Sequence, residues 1–311
     1  MPVARGAPTR AALRALAVGA LLLACAGLPP AVETGQLFLW EVARSDGSGG
    51  RAHLMGSVHL SDDEISFDPA VEQALARADT LVLEVAPGEL DPERMGELTA
   101  SAGTFVDGRT LENVLAPETW KLLLARLEQE RLEPGAFLPM KPWLASITLQ
   151  LVALARQGFD PERGVDLSLA RAAEAAGKSV VGLETAEAQI LALDSLPLAT
   201  QELMLLGTLA SDDDGDRAMP LLLDAWRKGD TARIEAVAFA GLGVEPDLAP
   251  FFEAVYFERN RRMAVGIARI VDAGGLCFVA VGAAHVVGER GVPALLAARG
   301  YTVRRLPKTA R

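Results

Sequence analysis

An apolar run that stops at a glycine and is followed three residues later by a histidine occurs twice in this chain. The first lies in "HLMGSVHL", with Gly56 and His59, and the second in "FVAVGAAHVVGERG", with Gly282 and His285. Short apolar runs bounded by glycine read as buried strands. The two histidines stand 226 positions apart in a chain of 311 residues. A fold that buries both runs therefore draws its sheet from both ends.

The stretches between them agree with that outline. "QLFLWEVARSDGSGGRAHLMGSVHL" is two apolar runs joined by a Ser/Gly-rich turn, which predicts a hairpin. "DPAVEQALARAD" has helical spacing and "TLVLEVA" reads as a short buried strand. From Leu111 to Arg269 the spacing is mostly helical, as in "PETWKLLLARLEQERL" and "PFFEAVYFERNRRMAVGIARIVDAGG", with one strand, "SVVGLE", at 179–184. A strand at 276–282, the His285 loop, the helix "GVPALLAARG" and the strand "YTVRRL" close the chain. The expected fold is α/β: a mixed β-sheet built from N- and C-terminal segments, with a mostly helical insertion at about 111–269. The expected organisation is a leader over 1–26, a linker over 27–35 and one domain over 36–307. "SDDDGD" at 211–216 lacks the spacing and closing Glu of a calcium loop and reads as an exposed acidic linker.

The first 26 residues combine Arg5, Arg10 and Arg14 with an apolar stretch and the exit "LLLACAG", which reads as a secretory signal. The apolar stretch is shorter than the roughly 20 residues a membrane span needs. Two exits stay open: an A-x-A site at Ala24–Ala26, or a bacterial lipobox with Cys25 as the lipidated first residue. The chain is thus expected to be exported, in the periplasm or anchored at the outer membrane through a lipid on Cys25. Losing the leader moves the formal charge from −11 to −14. With no basic stripe, that charge excludes a nucleic-acid partner. The basic tail "RRLPKTAR" reads as a solvated terminus. Cys277, in "GLCFVAVG", is then the lone cysteine and reads as a small core residue.

Histidines and carboxylates that converge from separate elements make metal sites. His59 and His285 would both lie just past strand ends, where open α/β sheets gather ligands. Gly56 and Gly282 would let the backbone turn sharply there. His53, inside the first run, reads as structural. Glu84 interrupts an apolar strand and Glu184 ends one; a buried carboxylate is costly unless it is paired or metal-bound. For Glu184 the rival reading is a solvated strand end, with Thr185 capping the next helix. Arg259 falls on the stripe of Phe252, Tyr256, Met263, Ile267 and Ile270, so it either meets an anion or extends its head to water. Glu258 and Asn260 face elsewhere on that helix and could orient Arg259 or line a cleft. No HExxH, Gly-x-Ser-x-Gly, Walker or CxxC motif is present.

Taken in order, "LWEV", "LMGSVHL", "LVLEV", "KPWLAS", "GVDLSLARAAEAAGKSVVGLETAEAQ", "WRKGD", "ERN" and "FVAVGAAHVVGERGVPALLAARGYTV" resemble the TraB/GumN family. That family includes the Tiki proteins and belongs with the erythromycin-esterase-like and ChaN-like superfamily. The resemblance spans about 39–303. It implies a metal site of two Gly-x-x-His histidines and a glutamate, here His59, His285 and Glu84. Glu184 and Arg259 would join Glu84 in catalysis, supported by Gly56, Gly282 and Asn260. Tiki proteins are divalent-metal-dependent proteases, which implies a peptide or protein substrate and manganese or cobalt, with zinc less suited. Haem bound by the same histidines without turnover, as in a ChaN-type carrier, is the alternative. An accessory role in polysaccharide export or peptide signalling is a third.

Overall fold

The computed structural model describes residues 30–89, 91–210, 218–243 and 245–309. The leader with Cys25 and the acidic 211–216 stretch lie outside these residues.

The central sheet has six strands: β1 (Gln36–Arg44), β2 (Arg51–Ser57), β3 (Thr80–Leu83), β4 (Ser179–Gly182), β5 (Leu276–Gly282) and β6 (Tyr301–Pro307), in the order β4-β3-β5-β2-β1-β6. β1 and β2 form the expected antiparallel hairpin, and β6 pairs antiparallel with β1. β4, β3, β5 and β2 run parallel. The helix Pro69–Arg77 joins β2 to β3, capped by Asp68, whose carboxylate accepts from the Ala70 N–H. β2 and β3 are not neighbours, because β5 lies between them. The last third of the chain thus enters a slot left by the first, and three consecutive strands end side by side: β3, β5, β2.

Alternation along β5 shows why this strand is central. Cys277, Val279 and Val281 pack on one face with Leu54, Val82, Met263, Ile267 and Val271. Phe278 and Ala280 pack on the other with Met55, Leu81, Val71, Leu75 and Leu169. Helices therefore cover both faces, as a parallel sheet requires. Phe278 and Val279 are wholly buried, each contributing about 1.5–3 kcal/mol relative to exposure. Cys277 belongs to this core, and burial pushes its thiol up to about 11.

Further helices between β3 and β4, and between β4 and β5, form a separate apolar cluster around Leu123, Leu127, Phe137 and Leu205. They begin at Pro92, with the helix Pro92–Gly103, ahead of the expected start at Leu111. Among the described residues no single helix is long and apolar enough to cross a membrane.

Two expectations are corrected. Within the basic tail, Arg305 is not solvated: on the expected last strand, β6, it donates to the carbonyls of Leu37 and Gly229. Its guanidinium lies over Phe38 and Trp40, at 5.1 and 5.2 Å from the ring centres. Aromatic surface on β1 and two carbonyls thus capture a residue that composition alone assigns to water. The segment after Pro250 is also not one regular helix. Ala249–Phe252 and Glu258–Ala273 are α-helical, and Glu253–Phe257 between them is a π-helical turn.

Candidate functional site

Each parallel strand delivers one candidate group just past its carboxyl end. β2 leads to His59, β3 to Glu84, β4 to Glu184 and β5 to His285. Glu84 does not sit inside a strand, as its sequence setting suggests, because β3 stops at Leu83. The helix Glu258–Ala273 supplies Arg259 and Asn260, both buried. The structure thus brings together all the catalytic and metal-ligating candidates outside the leader.

Arg259 ties the two glutamates. Its Nη2 donates to Glu84 Oε2 and Glu184 Oε1, both at 2.5 Å, and its Nε reaches Glu184 Oε1 at 2.9 Å. Nη1 donates to the Val255 carbonyl at 2.9 Å. Gln189 Nε2 bridges the same carboxylates, at 3.2 Å from Glu84 Oε2 and 2.9 Å from Glu184 Oε1. With both carboxylates and a carbonyl on its donors, Arg259 acts as a clamp rather than a head extended to water. Glu184 is no solvated strand end, although Thr185 does cap the next helix through Ala188 N.

Glu84 Oε1 faces the other way. It accepts the Gly282 N–H at 2.6 Å and lies 3.6 Å from His285 Nε2. Burial works to raise the Glu84 pKa, but the charges of His285, His59 and Arg259 and the Gly282 N–H outweigh it and hold the carboxyl at about 2. His285 is pushed down to about 4, chiefly by burial, so it is neutral near pH 7.

The tautomer of each histidine is set by a partner. Asn260 Nδ2 donates to the Arg290 carbonyl at 2.8 Å, which turns Asn260 Oδ1 toward His285 Nδ1 at 2.5 Å. Nδ1 therefore carries the proton and Nε2 presents a lone pair. Asn260 thus supports the site by orienting His285 and not Arg259. His59 Nδ1 pairs with Asp166 Oδ2 at 2.7 Å, and Asp166 Oδ1 accepts from Ser57 at 2.8 Å. The Asp166 charge raises His59 to about 9. The His59 side chain is 60% exposed, so solvent weakens this pairing while its direction holds.

Gly56 and Gly282 are there for close approach and not for a turn, since neither has a positive φ. A methyl on Gly282 would sit 3.2 Å from His59 Nε2, 3.3 Å from Glu84 Oε1 and 3.5 Å from His285 Cδ2. The missing side chain marks a gap ringed by both histidines and one carboxylate oxygen. At Gly56 a methyl would meet Val286 Cγ2 at 2.6 Å and Ala283 Cα at 3.2 Å. That glycine lets the turn carrying His285 pack onto the end of β2. His53 sits within β2, in register with Glu41 of β1 and Phe278 of β5.

Among the described residues no three His, Cys, Asp or Glu side chains are closed to metal-ligand geometry. The donor chemistry nevertheless suits a cation. Two imidazoles with the remote nitrogen tied back and one ionised oxygen ring a space that a methyl would crowd. Binding an ion there would expel the His59 proton.

Three groups at this site carry no strong sequence signal. Asp166 lies in the first turn of the helix Val165–Ala175, where an acidic residue is common for the helix dipole alone. Gln189 is one polar residue in a short helix. Tyr256, which reads as part of an apolar stripe, has its ring 5.5 Å from that of His285. Burial raises its phenol pKa. A groove of about 800 Å³ lies at the same end of the sheet, floored by Leu37, Phe38, Met55 and Val71, but none of the candidate residues lines it.

Residues 38–305 match the model of the TraB/PrgY/gumN family. The chain is 26% identical over 265 residues to the uncharacterized protein YbaP of Shigella flexneri, covering 84% of this chain and 94% of that protein. It is also 26% identical over 246 residues to the uncharacterized protein YbaP of Escherichia coli strain K12, covering 78% and 87%. No solved structure matches it.

Proposed function

Because the chain belongs to the TraB/PrgY/gumN family, we propose that this cluster is the active site of a divalent-metal-dependent hydrolase acting on peptides. The observation that carries this reading is the gap at Gly282, with His59 Nε2, Glu84 Oε1 and the His285 ring around it. His59, His285 and Glu84 would hold the ion. A set of two imidazoles and a carboxylate suits manganese or cobalt better than a structural zinc. When bound, the ion supplies an acidified water and a Lewis acid for the scissile carbonyl.

The chain's own residues do the rest. Asn260 and Asp166 hold the imidazoles in the tautomer that turns Nε2 inward. His285, His59 and Arg259 keep Glu84 ionised, and Arg259 fixes its plane, so that Oε1 faces the gap as ligand. Glu184 and Gln189 hold Arg259 in turn and complete the clamp. The peptide class follows from the likeness to Tiki proteins, and export follows from the leader sequence.

The test is a peptide-library digest by the mature protein, first stripped with chelator and then supplied with manganese or cobalt. Cleavage that returns with metal and is lost in His59→Ala and His285→Ala supports the hydrolase. Stoichiometric metal or haem binding through those histidines without cleavage would replace it with the carrier. Wild-type-like metal binding by both folded variants would end the site proposal.

A further inference from the structure

Hydrolysis at this site would need a hydrogen-bond donor for the oxygen that gains negative charge, and Arg259 has four of its five N–H groups committed to the clamp. Its Nε, Nη1 and Nη2 already serve Glu184, Val255 and Glu84. The search for another donor ends at the π-helical turn Glu253–Phe257. A π turn holds one more residue than an α turn and shifts which side chain faces a neighbour; such turns cluster at functional sites. Tyr256 lies in this turn, its ring centre 5.5 Å from that of His285.

The ring of Tyr256 is fixed on its other sides. Phe239 lies 5.2 Å away, Phe251 5.9 Å and Phe252 6.3 Å, centre to centre. The hydroxyl is treated differently: among the described residues it bonds to no protein group. A tyrosine packed this firmly usually gives its hydroxyl a protein partner. Here no protein partner takes the hydroxyl, and the ring stands beside the histidine that faces Glu84.

Resting on the hydrolase reading, we infer that Tyr256 is a further catalytic residue, whose Oη–H donates a hydrogen bond to the oxyanion of the substrate's tetrahedral intermediate. No proton changes owner in this role. The hydroxyl keeps its hydrogen, and the bond strengthens as charge develops on the substrate oxygen.

Tyr256→Phe removes the hydroxyl and keeps the ring in its aromatic cluster, so its thermal midpoint should match that of the wild type. Two readouts then separate the donor from the hydrolase. In peptide cleavage with manganese, the variant should lose roughly 10²–10³-fold in kcat with KM held within about twofold. In calorimetric titration of methylphosphonate, a tetrahedral anion, into manganese-loaded protein, affinity should fall roughly tenfold or more. If the wild type cleaves peptides and the variant matches it in both readouts, the donor role fails and the hydrolase stands. If nothing cleaves but phosphonate affinity falls in the variant, the donor role stands and the hydrolase fails. If the wild type neither cleaves peptides nor binds phosphonate, both fail.

Discussion

Replacing Arg259 by Met keeps much of the side-chain volume and removes the charge that holds two carboxylates together. The side chains of Glu84 and Glu184 are only 7% and 9% exposed, so water cannot take the place of the guanidinium. Breaking a buried pair by removing one partner costs about 3–5 kcal/mol. Gln189 still bridges both carboxylates and the Gly282 N–H still holds Glu84, so the loss should be that of one pair, not of two added together. For a domain this large the midpoint should fall by roughly 10 °C. The pH dependence gives a second check. In the wild type Glu84 is held at about 2, below the ordinary 4.5, so its stabilising share is full above about pH 4.5 and fades as pH drops toward about 2. Without Arg259, two adjacent buried carboxylates would share a proton well above that range. Acidification from about pH 7 to pH 4 should therefore narrow the gap between variant and wild type. Urea unfolding at the two pH values measures both effects. A loss under about 1 kcal/mol at pH 7, or a gap that acid does not narrow, would refute the clamp.

Two further substitutions probe the gap and the tautomer. Gly282→Ala has no backbone strain to meet, since φ is −52°, and should cost roughly 1–3 kcal/mol from overpacking. It should abolish metal binding, because its methyl fills the space between His59 Nε2 and Glu84 Oε1; a folded variant that still binds one ion would place the site elsewhere. Asp166→Asn should return the His59 titration, followed by NMR on apoprotein, from about 9 to near its ordinary 6.5. The Asp166 pairing stabilises the apoprotein fully below about pH 6.5 and less as pH rises through about 9, and that dependence should vanish in the variant. An unmoved midpoint would mean that Asp166 does not set the protonation of His59.

The parts of the site that a sequence can reveal are those that break a pattern. A charge in an apolar strand run, as at Glu84, or a repeated Gly-x-x-His frame stands out because burial or coincidence is costly. Asp166, Gln189 and Asn260 break none. Each is an ordinary polar residue on a helix, and its role exists only because the fold sets it against a histidine or glutamate. Tyr256 is hidden for a different reason: regular helical spacing from Phe252 makes it look like core, and its contact with the His285 ring leaves no mark in the pattern. The sheet was legible as strands from both ends but not in its order. Nothing in the apolar run 276–282 says that it slips between β2 and β3, yet that placement puts Gly282 between His59 and Glu84. The glycines were legible as features and misread in cause, since close packing and not backbone reversal requires them.

The central claim is that His59, His285 and Glu84 form one cation site. Titration of apoprotein with Mn(II), followed by the EPR signal of the free ion, tests it most directly. The account predicts one ion per chain, with binding lost in both His285→Ala and Glu84→Gln although each variant remains folded. Absence of stoichiometric binding in the wild type, or binding unchanged in both variants, would contradict it.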